Sequence, residues 1–356
     1  MVSAATPSSS ARNRGSTVVL GIESTAHTFG VGIVSSAPPY ILADARRQYI
    51  PKEGGILPRE VAQFFSRVAG DVLREALSQA GVDPRDISGV AVALGPGMGP
   101  ALRVGATVAR ALSSRLGVPL IAVNHAIAHI EIARFLTGLR DPVVLYVSGG
   151  NTTVMSYSAG RYRVFGETLD ISLGNMLDTF ARETGLGPPY VVSGKHVVDI
   201  CAEKGEFMRG FPYVVKGQDV SYSGLLTAAL RAYKRNPESL PNICYTLREI
   251  GFSSSVEVTE RCLAHVGKHE VILTGGVAAN DELNRKLSIM VRPHNARFRR
   301  IPKKYAGDNG VMIALTGLLE LLHGVGIVEP ERAFIRQRWR PDRVDVPWYP
   351  KTLGDV

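Results

Sequence analysis

His125 and His129 stand four residues apart in Asn124-His125-Ala126-Ile127-Ala128-His129-Ile130-Glu131. On a helix that spacing puts two imidazoles on one face, about one turn apart, so both can reach a single metal ion. A pair that simply packs in a core or lies on a surface has the same spacing. Two nitrogens leave a metal short of ligands, and the missing oxygen must come from elsewhere. Asp308, in Tyr305-Ala306-Gly307-Asp308-Asn309-Gly310, is the best candidate. It opens the apolar run VMIALTGLLELL, where its alternative role is an N-cap carboxylate. A peptidase of the HExxH kind needs a Glu directly after the first His as general base. That position is Ala126, and Glu131 falls on a different face, so the peptidase reading lacks its base.

Ser148-Gly149-Gly150-Asn151-Thr152 and Thr274-Gly275-Gly276 are turns in which glycine lets main-chain amides approach a phosphate closely. Each alone is a common pattern, but here both follow buried strands. Gly95-Pro96-Gly97-Met98-Gly99-Pro100 is too rich in Gly and Pro for a helix or strand interior. It lacks the Gly-Lys-Ser/Thr ending of a P-loop. Arg103, just beyond it, reads equally as an anion contact or a plain surface arginine. Asp178 lies on an expected helix, where a lone acid is usually solvated. Arg292–Lys304 and Arg332–Arg343 interleave arginines with aromatics, which suits phosphate contact plus base stacking, or a solvated basic face.

The elements that must position these groups follow from periodicity. Thr17–Ile22, Phe29–Ser35 and Tyr40–Arg46 read as strands, Val61–Ala80 as a helix and Ile87–Leu94 as a buried strand running into the Gly-rich loop. Pro119–Val123 reads as a strand and Asn124–Leu136 as a helix. The scheme then restarts: strand Pro142–Ser148, Gly turn, strands Thr153–Ser158 and Tyr162–Glu167, and later strand Glu270–Leu273 with its own Gly loop and helix start. The halves share pattern, not residues. A duplicated α/β lobe of this kind places its ligand in the crevice between halves, and the two Gly turns are expected to face that crevice from opposite sides. The expected division is a flexible tail (1–16), one lobe (17–137), a second lobe (138–307), a helix returning to the first (308–330) and a basic C-terminal extension (331–356).

The chain has 356 residues, 45% of them hydrophobic, enough for one large or two medium domains with a real core. Lys plus Arg number 41 against 32 Asp plus Glu, a net charge of +9, which favours an anionic partner such as nucleic acid. No stretch approaches the ~18 apolar residues of a membrane span, so no membrane partner is expected. Three cysteines, Cys201, Cys244 and Cys262, without tight spacing, argue against a disulfide framework or a Cys-based zinc site. They read as reduced residues in a reducing compartment, the cytoplasm.

Taken together, these segments resemble the universal family that makes threonylcarbamoyladenosine in tRNA, specifically its archaeal and eukaryotic cytosolic branch. The matching stretches are Gly21–Thr28, GPGMGPALRVGAT, NHAIAHIE, LYVSGGNT, GETLDISLGNMLDTFARE, SYSGLLTAA, LTGGVAAN and YAGDNGVMIA, spread over residues 18 to 348. The resemblance implies a duplicated actin/sugar-kinase/Hsp70-like fold with its ligand between two lobes. It implies transfer of a threonylcarbamoyl group from threonylcarbamoyl-AMP to N6 of the adenosine 3′ of the anticodon, in tRNAs that read codons starting with A. It implies one divalent metal, iron or zinc with magnesium as a further option, on His125, His129, Asp308 and Tyr146. It assigns the adenylate to Tyr146, Val147, Ser148, Gly149, Gly150, Asp178 and Asn280. The partners implied are tRNA and the KEOPS subunits, a kinase-like ATPase and small accessory proteins.

Two stretches depart from the family pattern. Relatives carry a Pro-Gly-Gly-Pro-Lys turn after the Asp178 helix, where this chain reads Gly187-Pro188-Pro189-Tyr190-Val191-Val192-Ser193-Gly194-Lys195-His196. Gly194 and Asp199 are the expected substitutes. Residues 57–65 hold apolar groups where relatives often have histidines. The runner-up function is a small-molecule kinase or ATPase of the same fold, which would need a catalytic Asp and gives the histidine pair no task. A non-catalytic binding subunit is a further alternative.

Overall fold

The computed structural model describes residues 15–51 and 55–355. The expected tail, save Gly15 and Ser16, lies outside the described residues. Strand β1 (Val18–Glu23) is buried at every position and pairs with β2 (Thr28–Ser35), which pairs with β3 (Ile41–Gln48), both antiparallel. Helix α1 (Pro58–Ala80) leads to β4 (Gly89–Gly95), α2 (Gly99–Leu116), β5 (Leu120–Asn124) and α3 (His125–Thr137). β4 and β5 extend the sheet in parallel from β1. Parallel strands covered on both faces must be apolar throughout, which is why these runs are readable as buried.

The second lobe repeats the plan. β6 (Val143–Val147), β7 (Thr152–Ser158) and β8 (Arg161–Glu167) form the meander, followed by α4 (Leu173–Glu183). A small hairpin, β9 (Val191–Val192) and β10 (Lys195–His196), precedes α5 (Val197–Ala202). Another, β11 (Val215–Lys216) and β12 (Asp219–Val220), precedes α6 (Ser223–Arg235) and α7 (Leu240–Val266). Then come β13 (Glu270–Thr274), α8 (Asp281–Met290), β14 (Arg297–Arg299), α9 (Lys303–Ala306), α10 (Gly310–Leu322) and β15 (Ile327–Val328). The first sheet runs β15-β5-β4-β1-β2-β3 and the second β14-β13-β6-β7-β8. Leaving out β15, strand order and direction match one for one, so the duplication survives in topology where the residues have diverged.

Helix α10 crosses the first sheet at van der Waals distance. A Cβ on Gly21 would lie 2.1 Å from the Ala314 nitrogen, and one on Gly32 would lie 2.3 Å from that of Val311. Only glycine admits this approach, and it fixes Asp308, two residues before α10, above the first lobe.

The reading of the cysteines as reduced is corrected. Cys201 on α5 and Cys244 on α7 form a disulfide across 43 residues of chain, with Cα atoms 5.9 Å apart. Packing of α5 on α7 sets that pairing, and spacing along the chain carries no trace of it. Cys262 is a free, buried thiol, pushed up to about 12 by burial. Among the described residues no helix is long and apolar enough to cross a membrane.

Candidate metal centre and adjoining cleft

Asn124 ends β5 and caps α3, its Oδ1 accepting from the Ala126 and Ile127 amides at 3.0 and 3.2 Å. The two histidines therefore occupy the first two turns of α3 and face the start of α10. His129 Nε2 lies 3.2 Å from Asp308 Oδ1, and His125 Nε2 lies 3.6 Å from the same atom. One ligand atom from each of the three residues lies within 4.8 Å of the others. Asp308 is not the helix cap. Asn309 is, its Oδ1 accepting from the Met312 amide at 2.9 Å, which leaves the Asp308 carboxylate to the imidazoles. Arg46 donates to the Asp308 and Lys304 carbonyls at 3.2 and 2.8 Å and steadies that turn.

Glu23, at the end of β1 and fully buried, has a role that no pattern in the sequence announces. Its Oε2 lies 2.8 Å from His125 Nδ1, while Oε1 accepts from the Thr25 amide and hydroxyl at 2.6 and 2.5 Å. A carboxylate on one ring nitrogen fixes the tautomer and turns the other toward a metal. The available signal is an acid ending an otherwise apolar buried strand, costly unless it is paired.

Electrostatics follow from the same contacts. Burial opposes charging His125, but Glu23 outweighs it and raises the imidazole to about 9. Burial lowers His129. Burial resists ionisation of Asp308 as well, yet the His129 hydrogen bond and the neighbouring imidazoles hold its carboxyl far below the usual range. Tyr146, at the end of β6, has its ring centroid 5.3 Å from that of His129, and its buried hydroxyl has no hydrogen-bond partner. Burial and then the Asp308 charge raise its phenol well above the ordinary value. Two imidazoles, a carboxylate and an orphaned phenol oxygen suit iron or zinc, whereas magnesium prefers an all-oxygen shell. The residues fit such an ion.

The cleft continues from Tyr146. Ser148 Oγ accepts from the Gly150 and Asn151 amides at 3.3 and 3.1 Å, and the Ser172 hydroxyl donates to the Gly149 carbonyl at 2.6 Å. The two Gly turns do not face each other from opposite sides, as expected from the repeat. β6 and β13 are parallel neighbours with Thr274 beside Tyr146, so both turns leave the same sheet edge. Gly275, at φ +94°, packs so closely that a Cβ would lie 2.4 Å from the Val147 carbonyl oxygen.

The next residue, Gly276, lines a cavity of about 320 Å³ together with Gly194, His196, Asp199, Arg248 and Asn280. Asn280 Nδ2 donates to Asp199 Oδ2 at 2.5 Å while its own Oδ1 caps α8, and Arg248 lies 3.8 Å from Asp199 Oδ1. Burial raises the Asp199 carboxyl. Asp178 does not line the cavity and is not simply solvated. It meets His196 Nε2 at 3.0 Å, and the imidazole forms the wall. The structure thus gathers His125, His129, Asp308 and Tyr146 in one group and Gly194, Asp199 and Asn280 in another, joined through Val147 and Gly275. His196 and Arg248 belong to the second group and escape sequence reasoning, because nothing nearby in the chain marks them.

The profile of the family described as tRNA N6-adenosine threonylcarbamoyltransferase matches residues 41–315. The protein of that name from Aeropyrum pernix is 67% identical over 341 residues, covering 96% of this chain and 97% of its own. That from Hyperthermus butylicus is 56% identical, covering 98% and 100%. The chain belongs to the tRNA N6-adenosine threonylcarbamoyltransferase family. Among solved structures it is similar to HypF from T. kodakarensis, with a TM-score of 0.54 and 17% identity over 86% of this chain and 48% of that one. It is also similar to component A of the (R)-2-hydroxyglutaryl-CoA dehydratase of Acidaminococcus fermentans, with a TM-score of 0.51 and 14% identity over 84% and 97%. These two establish the shared fold of this transferase, a duplicated actin/sugar-kinase/Hsp70-like α/β architecture.

Proposed function

We propose that the chain transfers threonylcarbamoyl from threonylcarbamoyl-AMP to N6 of the adenosine 3′ of the anticodon, with a divalent metal on His125, His129, Asp308 and Tyr146. The observation that carries this reading is the convergence of those four side chains one turn away from a cavity of nucleotide size. Asp199 accepts from ribose hydroxyls, with Asn280 and Arg248 holding its carboxylate. The amides of Gly149 and of the Gly275–Gly276 turn receive the phosphate. The donor is a mixed anhydride with AMP as a good leaving group, so positioning and charge neutralisation are the main requirements. The adenosine N6 bonds to the carbonyl carbon, the bond to phosphate oxygen breaks, AMP departs and the amine proton passes to water or a donor oxygen. The bound metal supplies Lewis acidity and an orienting charge. Glu23 and Thr25 keep the His125 ring in one orientation, and α10 closes the floor beneath the site against water. The tRNA substrate points to work in the cytoplasm, within a KEOPS assembly that includes a kinase-like ATPase and small accessory subunits.

The test is reconstitution of the full chain with threonylcarbamoyl-AMP and tRNA, with metal content measured alongside. Modified adenosine is the expected product. His129→Ala should lose the metal and slow transfer by about 100-fold or more, the scale of several kcal/mol of charge stabilisation. Metal loss with unchanged transfer would take the ion out of the reaction.

A further inference from the structure

The Gly95–Pro100 loop and the arginine-rich stretch after residue 331 are separate motifs in the sequence, and in the structure they are one. The C-terminal segment leaves the first lobe at Ala333, which is buried in that lobe's core, and reaches the second lobe at Val346, whose amide donates to the Gly160 carbonyl at 2.9 Å. Between them it makes a turn against the Gly-rich loop. The Arg336 amide donates to the Leu94 carbonyl at 2.7 Å, the Gly97 amide to the Gln337 carbonyl at 3.2 Å and the Trp339 amide to the Arg336 carbonyl at 3.1 Å. A Cβ on Gly95 would lie 1.9 Å from the Arg336 carbonyl oxygen. The turn therefore dictates that glycine.

This turn borders the metal cluster. Asn124, the residue before His125, donates from Nδ2 to the Trp339 carbonyl at 3.1 Å. The Met98 amide donates to the Thr25 carbonyl at 2.8 Å, and Thr25 Oγ1 is 3.2 Å from His125 Nδ1. With its carbonyls pinned inward, the turn presents its guanidinium groups outward.

Arg332, Arg336, Arg338 and Arg343 are exposed, and among the described residues none has a carboxylate partner. Arg340 is the exception, paired with Asp342 and Glu167. Arg103, also exposed, lies one turn beyond Gly99, whose Cα faces the Gln337 side chain, so it shares that helix face. Two aromatics complete the surface. Phe334 is 67% exposed, and Trp339 is stacked under Arg336 at 4.7 Å. Unpaired cations occur elsewhere too, as at Arg299 and at Arg231, Lys234 and Arg235 on α6, so what singles this turn out is its bond to the metal-bearing helix through Asn124.

We propose that the Arg336–Trp339 turn, flanked by Arg103, Arg332 and Arg343, is the docking surface for the sugar–phosphate backbone of the tRNA anticodon arm, holding it where one loop adenosine reaches the cleft beside His125. The inference rests on the tRNA reading above. Unpaired guanidinium groups favour phosphate, and an exposed aromatic among arginines, here Phe334, suits an unstacked loop base. A rigid backbone bonded to the metal-bearing helix converts phosphate binding into register.

The full chain is titrated with an unmodified tRNA transcript carrying adenosine 3′ of the anticodon, over a several-fold range of salt. The control variant removes four charges from another surface, at Arg209, Arg231, Lys234 and Arg235. In the variant with Arg103, Arg336, Arg338 and Arg343 changed to Ala, affinity should fall at least about tenfold. The slope of log affinity against log salt should shrink by about 3, at roughly 0.7–0.9 for each phosphate no longer neutralised. Metal content and threonylcarbamoyl-AMP binding should stay as in the wild type, and Arg338→Lys should keep most of the affinity. Equal affinities in the two four-charge variants overturn the docking surface while leaving the functional reading intact. So does a variant that keeps tRNA but loses a protein partner. A wild-type chain that binds no tRNA overturns both.

Discussion

The two sides of the cleft are built differently. On the histidine side, the polar groups sit on or beside long elements and most are held by a neighbour: His125 by Glu23, Glu23 by Thr25, and the start of α10 by Asn309 and Arg46. On the cavity side, Gly194, His196 and Asp199 ride on two-residue strands and a six-residue helix. Val191 and Val192 there are 59% and 43% exposed. A disulfide ties that short helix down. The histidine side is preorganised by hydrogen bonds inside a core, and the cavity side by one covalent staple on a slender scaffold. Preorganised charges need no rearrangement during reaction, whereas short elements with exposed apolar side chains can shift to admit and release a ligand.

If this contrast is right, damage on one side should leave the other working. The largest expected effect is on the metal. Glu23→Gln keeps the shape but removes the charge that orients His125, and should weaken metal affinity by about 10–100-fold. Binding of a non-hydrolysable adenylate should not change. Metal titration of the apo-protein, with calorimetry of the adenylate, checks both halves. A parallel loss of adenylate would mean the two sides are one unit.

The reciprocal change is Asp199→Asn. It removes one charged hydrogen bond of the order of 1.5–3 kcal/mol, so the adenylate dissociation constant should rise by about tenfold to a hundredfold with metal content unaltered. A variant that binds adenylate normally would remove Asp199 from the donor site.

These two residues also show what the sequence could and could not convey. His125 and His129 are legible because α3 imposes a 3.6-residue period on adjacent positions. Asp308 is legible because an acid in a small-residue turn before an apolar helix has few alternatives, although the capping role open to it falls to Asn309. Glu23 is invisible, since its partner is 102 positions away and no periodicity links them. The strand plan of both lobes is legible from all-apolar runs. The expectation for the Gly turns fails because the order of strands within a sheet is a long-range property. His196, Arg248 and the Cys201–Cys244 pair are hidden for the same reason, being brought together only when α5 settles on α7.

The staple itself gives a smaller effect. The Cys201→Ser, Cys244→Ser double variant frees a 43-residue span, worth about 2–4 kcal/mol through chain entropy. Its melting temperature should fall by several degrees, and adenylate affinity by a few-fold at most. Metal content should hold. Non-reducing mass analysis of the wild type, before and after a dithiol reductant, shows whether the bond is present when the effect is read.

The smallest effect lies within the metal side, at the opposite ends of α10. Asp308 precedes the helix and is held ionised by imidazoles, while Glu320 near its end is buried with Oε2 unpartnered. Burial alone raises Glu320 well above its usual value. A carboxyl raised in the folded state stabilises the fold only while protonated. That contribution is complete below the unfolded value of about 4.5 and is lost as pH climbs toward the folded value. Glu320→Gln keeps the neutral amide-like shape at every pH. It should therefore raise the melting temperature by about 2–4 °C at about pH 8 and change it little near pH 4.5. A Gln variant with the same deficit at both pH values would show that Glu320 has an unseen cationic partner. Helix α10 would then have a paired carboxylate at each end instead of a buried neutral one near its C-terminus.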